Sequence, residues 1–238
     1  MVELNTVIFD VLYLLAAILF IMGIKKMGHP RTAVTGNLLG VVGMLLAAGV
    51  SFLITLENES IQNSLTLPIG TIVGAIFIGT LFGTVLATRV QMTEMPQLVA
   101  VFNGVGGLAS VLVAAASLMA TKDSSIPVEV VVAGGVSGLI GAVTFVGSGV
   151  AAGKLQELNF FKKQLPIPTL IRHVLNLAML IGCGWCVFEM IDTGNVLLYL
   201  VICVLGCALG YTLTTPIGGA DMPVVIALLN SYSGLAAA

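Results

Sequence analysis

The chain has 238 residues, 58% of them hydrophobic and 8% charged, with a formal net charge of −2 and a mean hydropathy of +1.12. A water-soluble domain of this length needs far more charge to cover its surface, so the solvent this composition suits is a bilayer. A membrane β-barrel is excluded as well, because the apolar runs are too long and too uniform for alternating strands.

Charge clusters separate eight apolar runs, at residues 4–24, 34–56, 68–88, 97–120, 128–152, 168–190, 195–215 and 222 to the end. Each approaches the roughly 20 residues that a spanning helix requires. The expected fold is therefore an all-α polytopic bundle. Span one has Glu3 and Asp10 at its head and Lys25-Lys26 behind it, which reads as a retained anchor rather than a signal peptide. If spans alternate, one side holds Lys25, Lys26, Arg31, Arg89, Lys154, Lys162, Lys163 and Arg172, and the other only Lys122. The positive-inside rule makes the first side cytoplasmic and places the N-terminus outside.

Small residues recur at steps of three and four along several spans. Span two carries Gly36, Gly40, Gly43 and Ala47. Span four carries Ala100, Asn103, Gly107, Ser110, Ala114 and Ser117, and span five Gly134, Gly138, Gly141, Ser148 and Ala152. Such faces let helices approach closely where lipid offers no hydrophobic reward for association, and they predict a compact bundle. Spans six and seven hold all four cysteines, at 183, 186, 203 and 207. The C-x-x-C of "CGWC" suggests a redox pair or metal site. With both thiols on one helix face at lipid depth and no second acid or His nearby, packing as small apolar residues is the preferred reading, without a disulfide. The last run ends at "SYSGLAAA", which leads us to expect a longer natural protein.

The chain also repeats itself. "EMPQLVAVFNGVGGLAS" (94–110) and "DMPVVIALLNSYSGLAA" (221–237) both run acid-Met-Pro, apolar residues, Asn nine positions after the acid, then Gly-Leu-Ala. Upstream, Gly79, Gly83, Leu86 and Thr88 match Gly206, Gly210, Leu213 and Thr215, so the repeated unit is a hairpin, spans three–four and seven–eight. Both copies enter from the cytoplasmic side, which makes the repeat parallel. Pro96 and Pro223 fall in the first helical turn, where a missing N–H costs nothing. Glu94 and Asp221 are placed either to cap the positive helix ends or to act at a cytoplasmic mouth.

Nine residues at 1.5 Å put Asn103 and Asn230 about 13 Å below their acids, well inside the hydrocarbon. An amide there must find a partner or water. A structural interhelical bond is one reading. Two amides at matching depth, with Ser231, Tyr232 and Ser233 beside one, favour a wet polar centre. Asn230 shares a face with Ala227, Gly234 and Ala238 and is expected to look into the bundle. Asn37 and Asn176 are expected to be further buried amides. Arg172 and His173 are interfacial, His29 is a loop residue, and nothing that titrates lies near midplane. The string "NGVGGLAS" lies within a span with no preceding strand, so it is not a dinucleotide loop.

The stretches "AAILFIMG", "TAVTGNLLG", "MTEMPQLVA", "GAVTFVGSGVAAGKL" and above all "IGGADMPVVIALLNSYSG" resemble the membrane domain of the β subunit of proton-translocating NAD(P) transhydrogenase, over essentially the whole chain. The resemblance implies that residues 1–238 are a proton-translocating membrane domain, followed in the full subunit by a ninth span and a cytosolic NADP(H)-binding domain. It implies Si–Re-specific hydride transfer from NADH to NADP⁺ by soluble domains outside this chain, which itself binds no cofactor. The family's functional aspartate and asparagine fall on Asp221 and Asn230. Where many members carry a titrating histidine in span four, this chain has Asn103, and the histidine is expected on a membrane helix of an α-type partner subunit.

On that expectation Asn103, Asn230, Ser231 and Ser233 hold the proton path, and Asp221, Glu94 and Arg89 form the coupling mouth. The implied setting is a bacterial inner membrane, with lipid, the partner's NAD(H)-binding domain and a homodimer of αβ units, and no nucleic acid. The alternatives are a secondary transporter of a small solute or ion, and a purely structural anchor.

Overall fold

A computed structural model of the chain describes residues 2–57, 66–120, 126–162 and 167–237. Lys122 and Lys163 lie outside the described residues. Among the described residues all regular structure is helical: α1 (Val2–Met27), α2 (Ala33–Glu57), α3 (Thr66–Arg89), α4 (Met95–Ala120), α5 (Val128–Leu155), α6 (Thr169–Thr193), α7 (Leu197–Thr214) and α8 (Met222–Ala237). A helical turn at Asn159–Lys162 and two 3₁₀ turns complete the described set. Helices α1 to α7 each contain a stretch long and apolar enough to cross a bilayer, and α8 has 16 residues. The eight runs read from hydropathy are these eight helices. Their ends follow local chemistry: Pro127 and Pro168 stand at the N-caps of α5 and α6, and Gly194, at φ 65°, turns the chain out of α6.

The chain divides into two compact units, residues 1–83 and 84–238, with the boundary inside α3. In the first, α1 packs on α2 through glycine. A Cβ on Gly36 would stand 2.7 Å from the Gly23 carbonyl, and one on Gly43 3.2 Å from that of Ala16. Thr32 Oγ1 donates to the Lys26 carbonyl at 2.6 Å and closes the connection, while Tyr13 and Ser51 hydroxyls meet at 2.8 Å further along. Because Gly36 takes the contact face, its neighbour Asn37 is turned outward and exposed, contrary to the buried position expected for it.

In the second unit α5 is the central post, packed by α4, α6, α7 and α8. Its glycines allow this. A Cβ on Gly141 would lie 2.6 Å from the Gly107 carbonyl, and one on Gly107 2.7 Å from that of Gly141, so α4 and α5 touch backbone to backbone. On another side a Cβ on Gly210 of α7 would lie 2.6 Å from the Val143 carbonyl. Gly138 leaves room for the Tyr199 ring, whose hydroxyl donates to the Val111 carbonyl at 2.7 Å and ties α7 to α4. All four cysteines are free, and Cys183 and Cys186 pack with Ile202 between α6 and α7.

This close approach generates a test. Replacing Gly107 with Val should push α4 off α5 and destabilise the purified, detergent-solubilised protein by about 1–3 kcal/mol, the usual cost of overpacking. Gly149→Ala, where the added methyl meets nothing within 4 Å, should leave the unfolding midpoint unchanged or slightly raised.

Candidate functional site

The two copies of the repeat open in the same way. Gln91 and Gly218 are extended (ψ 157° and 154°), a three-residue 3₁₀ turn follows and ends in the acid, and the long helix starts at Met95 or Met222. Glu94 closes on its own turn: its carboxylate accepts the Gln91 N–H at 3.3 Å and completes a capping box. Asp221 is held through its backbone, its N–H donating to the Gly218 carbonyl at 3.1 Å, and is exposed. Arg89, at the end of α3, is also exposed.

Above these turns α4 and α8 lean on each other and on α5. Asn103 is 8% exposed and sits where the three helices meet. Its Nδ2 donates to Ser148 Oγ of α5 at 2.9 Å and, at 3.5 Å, to the Ile226 carbonyl of α8. In a regular helix that carbonyl also accepts the N–H of residue 230. The contact lies one turn before Asn230 along the chain.

Asn230 itself is exposed on the isolated chain. The face of α8 turned to its neighbours is Met222, Ile226 and Leu229, at helical spacing, and Asn230 falls one residue to the side. It therefore does not point into the packed interior, as its company with Ala227 and Gly234 had suggested. It stands instead on the wall of an open groove of about 470 Å³ between α4 and α8, whose lining includes Phe102, Asn103, Gly106, Ala227, Asn230 and Ser233. Ser233 Oγ donates to the Asn230 carbonyl at 3.0 Å. Ser231 is exposed beside the groove and does not line it. None of the lining residues titrates. Further along the same face of α4, a second groove of about 580 Å³ is lined by Ser110, Ser117, Glu129, Ser137 and Ala236, among others.

Three polar features escaped the sequence reading. Ser148 looked like one more small residue on a packing face, and only helix register reveals that it meets Asn103. Thr144, one turn earlier on α5, is fully buried with its hydroxyl unpartnered. Lys154 turns its ammonium onto the carbonyls of Thr214, Thr215 and Ile217. Asn176, by contrast, is the buried amide expected of it: its Oδ1 accepts the Thr212 hydroxyl at 2.7 Å across α6 and α7.

Apolar helices joined through glycine faces, with amides and hydroxyls gathered along one groove, define a multi-pass helical membrane protein with a polar seam. Residues 9–238 match the family described as NAD(P) transhydrogenase beta subunit, and the chain belongs to that family. It is 40% identical over 232 residues to the NAD(P) transhydrogenase subunit beta of Rhodospirillum rubrum and, to the same extent, to that of R. rubrum strain ATCC 11170. The alignment covers 95% of this chain and 47% of each relative, so the chain spans about half the length of the curated relatives it matches.

Interhelical hydrogen bonds in bilayers average about 0.6 kcal/mol and reach ~1.7. Ser148→Ala leaves Asn103 with its long contact to Ile226 alone and should lower stability within that range, read from the unfolding midpoint in detergent. Asn103→Ala in the Ser148→Ala background should then add less than it does alone, as coupled partners do.

Proposed function

We propose that this chain is the proton-conducting membrane part of a transhydrogenase, coupling proton movement across a bacterial inner membrane to Si–Re hydride transfer from NADH to NADP⁺ by soluble domains outside residues 1–238. The observation that carries the reading is the groove in which Asn103, Asn230 and Ser233 stand together among apolar neighbours, open and without a titrating side chain. Amides and hydroxyls orient water and pass hydrogen bonds along, but they do not take up a proton near neutral pH. The acid–base group comes from a membrane helix of an α-type partner subunit laid against the open side. Ser148 belongs with Asn103 in this path, because it holds the Nδ2 end of the amide at the groove wall. Ser231 is a weaker member, since it lies beside the groove.

Coupling falls to the mouth. Asp221, exposed and seated on the turn that starts α8, is the contact for the NADP(H)-binding domain of the full subunit. Glu94, engaged with its own backbone, has the smaller part, and Arg89 adds charge to the same cytoplasmic side. That domain must bind differently according to proton occupancy, because only a differential affinity shifts an equilibrium. The complex is expected as a homodimer of αβ units, with NAD(H) on the partner's domain. A solute transporter would be expected to break its helices around a charged coordinating residue. Helices α4 and α8 run unbroken past the groove, and no charged residue lines it.

In proteoliposomes holding the full complex, Asp221→Asn should abolish proton movement driven by hydride transfer while the complex still assembles. Asn103→Leu, which keeps the volume and removes the polar head, should lower coupled turnover tenfold or more. Normal proton-to-hydride ratios in both variants would refute the assignment, and exchange of a small solute without nucleotide would favour the transporter.

A further inference from the structure

The C-terminal turn of α5 carries a cation with an unusual set of partners. Lys154 Nζ donates to the Thr214 carbonyl at 3.3 Å, to the Ile217 carbonyl at 2.6 Å and to the carbonyl of Thr215. An ammonium has three hydrogens to give, and all three are directed at the backbone where α7 ends and the segment leading to α8 begins. Thr214 and Thr215 are the last residue and the C-cap of α7, where a helix leaves carbonyls without intrahelical partners, and Ile217 lies just beyond. The segment then runs through Gly218 and Gly219 into the 3₁₀ turn that ends at Asp221. Glycine supplies little stiffness of its own, so the path from Thr214 to Asp221 depends on what grips its beginning.

The same stretch of α5 holds the other end of the system. Ser148, six residues before Lys154 and so about 9 Å along the helix, receives the Asn103 amide. One residue beyond the lysine, the Leu155 carbonyl accepts Gln97 Nε2 from the first turns of α4 at 3.2 Å. One rigid element is therefore bonded to Asn103, to the foot of α4 and to the segment that presents Asp221.

We infer that Lys154 is a positioning residue for coupling: it clamps the 214–217 backbone to α5, so that a change at the Asn103–Ser148 contact reaches Asp221 as a displacement of its supporting segment. This rests on the reading of Asp221 given above and names the residue that holds it in place. Lys154 touches no reacting atom. Its donors are engaged with the backbone, so it is not a phosphate or carboxylate ligand in this arrangement.

The test uses the full-length subunit in its assembled complex, with two readouts. First, a spin label on Ala220→Cys, an exposed site beside Asp221, reports the mobility of the segment. Lys154→Met, which keeps the stem and removes every donor, should mobilise the label, and Lys154→Arg should restore it towards the parent. Secondly, in proteoliposomes Lys154→Met should lower the number of protons moved per hydride at least threefold, with Lys154→Arg retaining most of it. Lys154→Met added to Asp221→Asn should bring no further loss. If Lys154→Met fails to assemble, Lys154→Gln, with a shorter neutral donor, takes its place in both measurements. An unmoved label overturns the clamp. A mobile label with an unchanged proton-to-hydride ratio overturns its role in coupling. If Asp221→Asn alone leaves coupling intact, the reading of the mouth fails, and the label still decides whether Lys154 holds the segment.

Discussion

Hydrocarbon gives a helix nothing to hydrogen-bond with and no gain for meeting another helix. Under that constraint, contact has to come from close backbone approach, and every interior polar group has to be met by another. The Gly107–Gly141 contact answers the first demand and the Asn103–Ser148 bond the second, on the same two helices, about one turn apart along α4 and two along α5. The arrangement is mutually dependent. Ser148 reaches Asn103 because glycine lets α4 and α5 come within backbone contact, and a single extra methyl at 107 or 141 would separate them.

Helix α5 owes its central place to the same rule. A helix that packs on four others needs small residues on several faces, and α5 has them at 134, 138, 141, 147 and 151. Its polar residues are then positioned with little freedom. Thr144, Ser148 and Lys154 lie along it at different depths, and each meets a different environment: an unpartnered hydroxyl, an amide, a set of backbone carbonyls. Rigidity of this kind is what a transmitting element requires, since packed interiors shift as units rather than deform smoothly.

The repeat gives the site its pairing and also its asymmetry. Both copies build an extended residue, a 3₁₀ turn ending in an acid and a helix with Pro near its start. The surroundings then treat them differently. The first copy is drawn against α5 and buries its amide. The second turns Met222, Ile226 and Leu229 inward and leaves its amide on the groove wall. Likewise the Glu94 carboxylate folds back onto the Gln91 N–H, whereas Asp221 is held through its backbone. One duplicated pattern thus yields a structural member and an open one, which suits a site completed by a partner helix.

Composition, charge placement and hydropathy by themselves determined the fold class, the eight helices and their approximate limits, because a bilayer leaves an apolar chain few alternatives. The repeat, visible as matched residues 127 positions apart, marked Asn103, Asn230, Glu94 and Asp221 as worth attention. Tertiary structure alone decided how those residues are used. Which face of α8 turns inward is a matter of roughly 100° of rotation, and Leu229 and Asn230, adjacent in the chain, exchange places within that angle. The partners of Ser148 and Lys154 and the outward turn of Asn37 could not be read in advance for the same reason: a small-residue face states that another helix comes close, but not which helix, at what height, or with which side chain opposite.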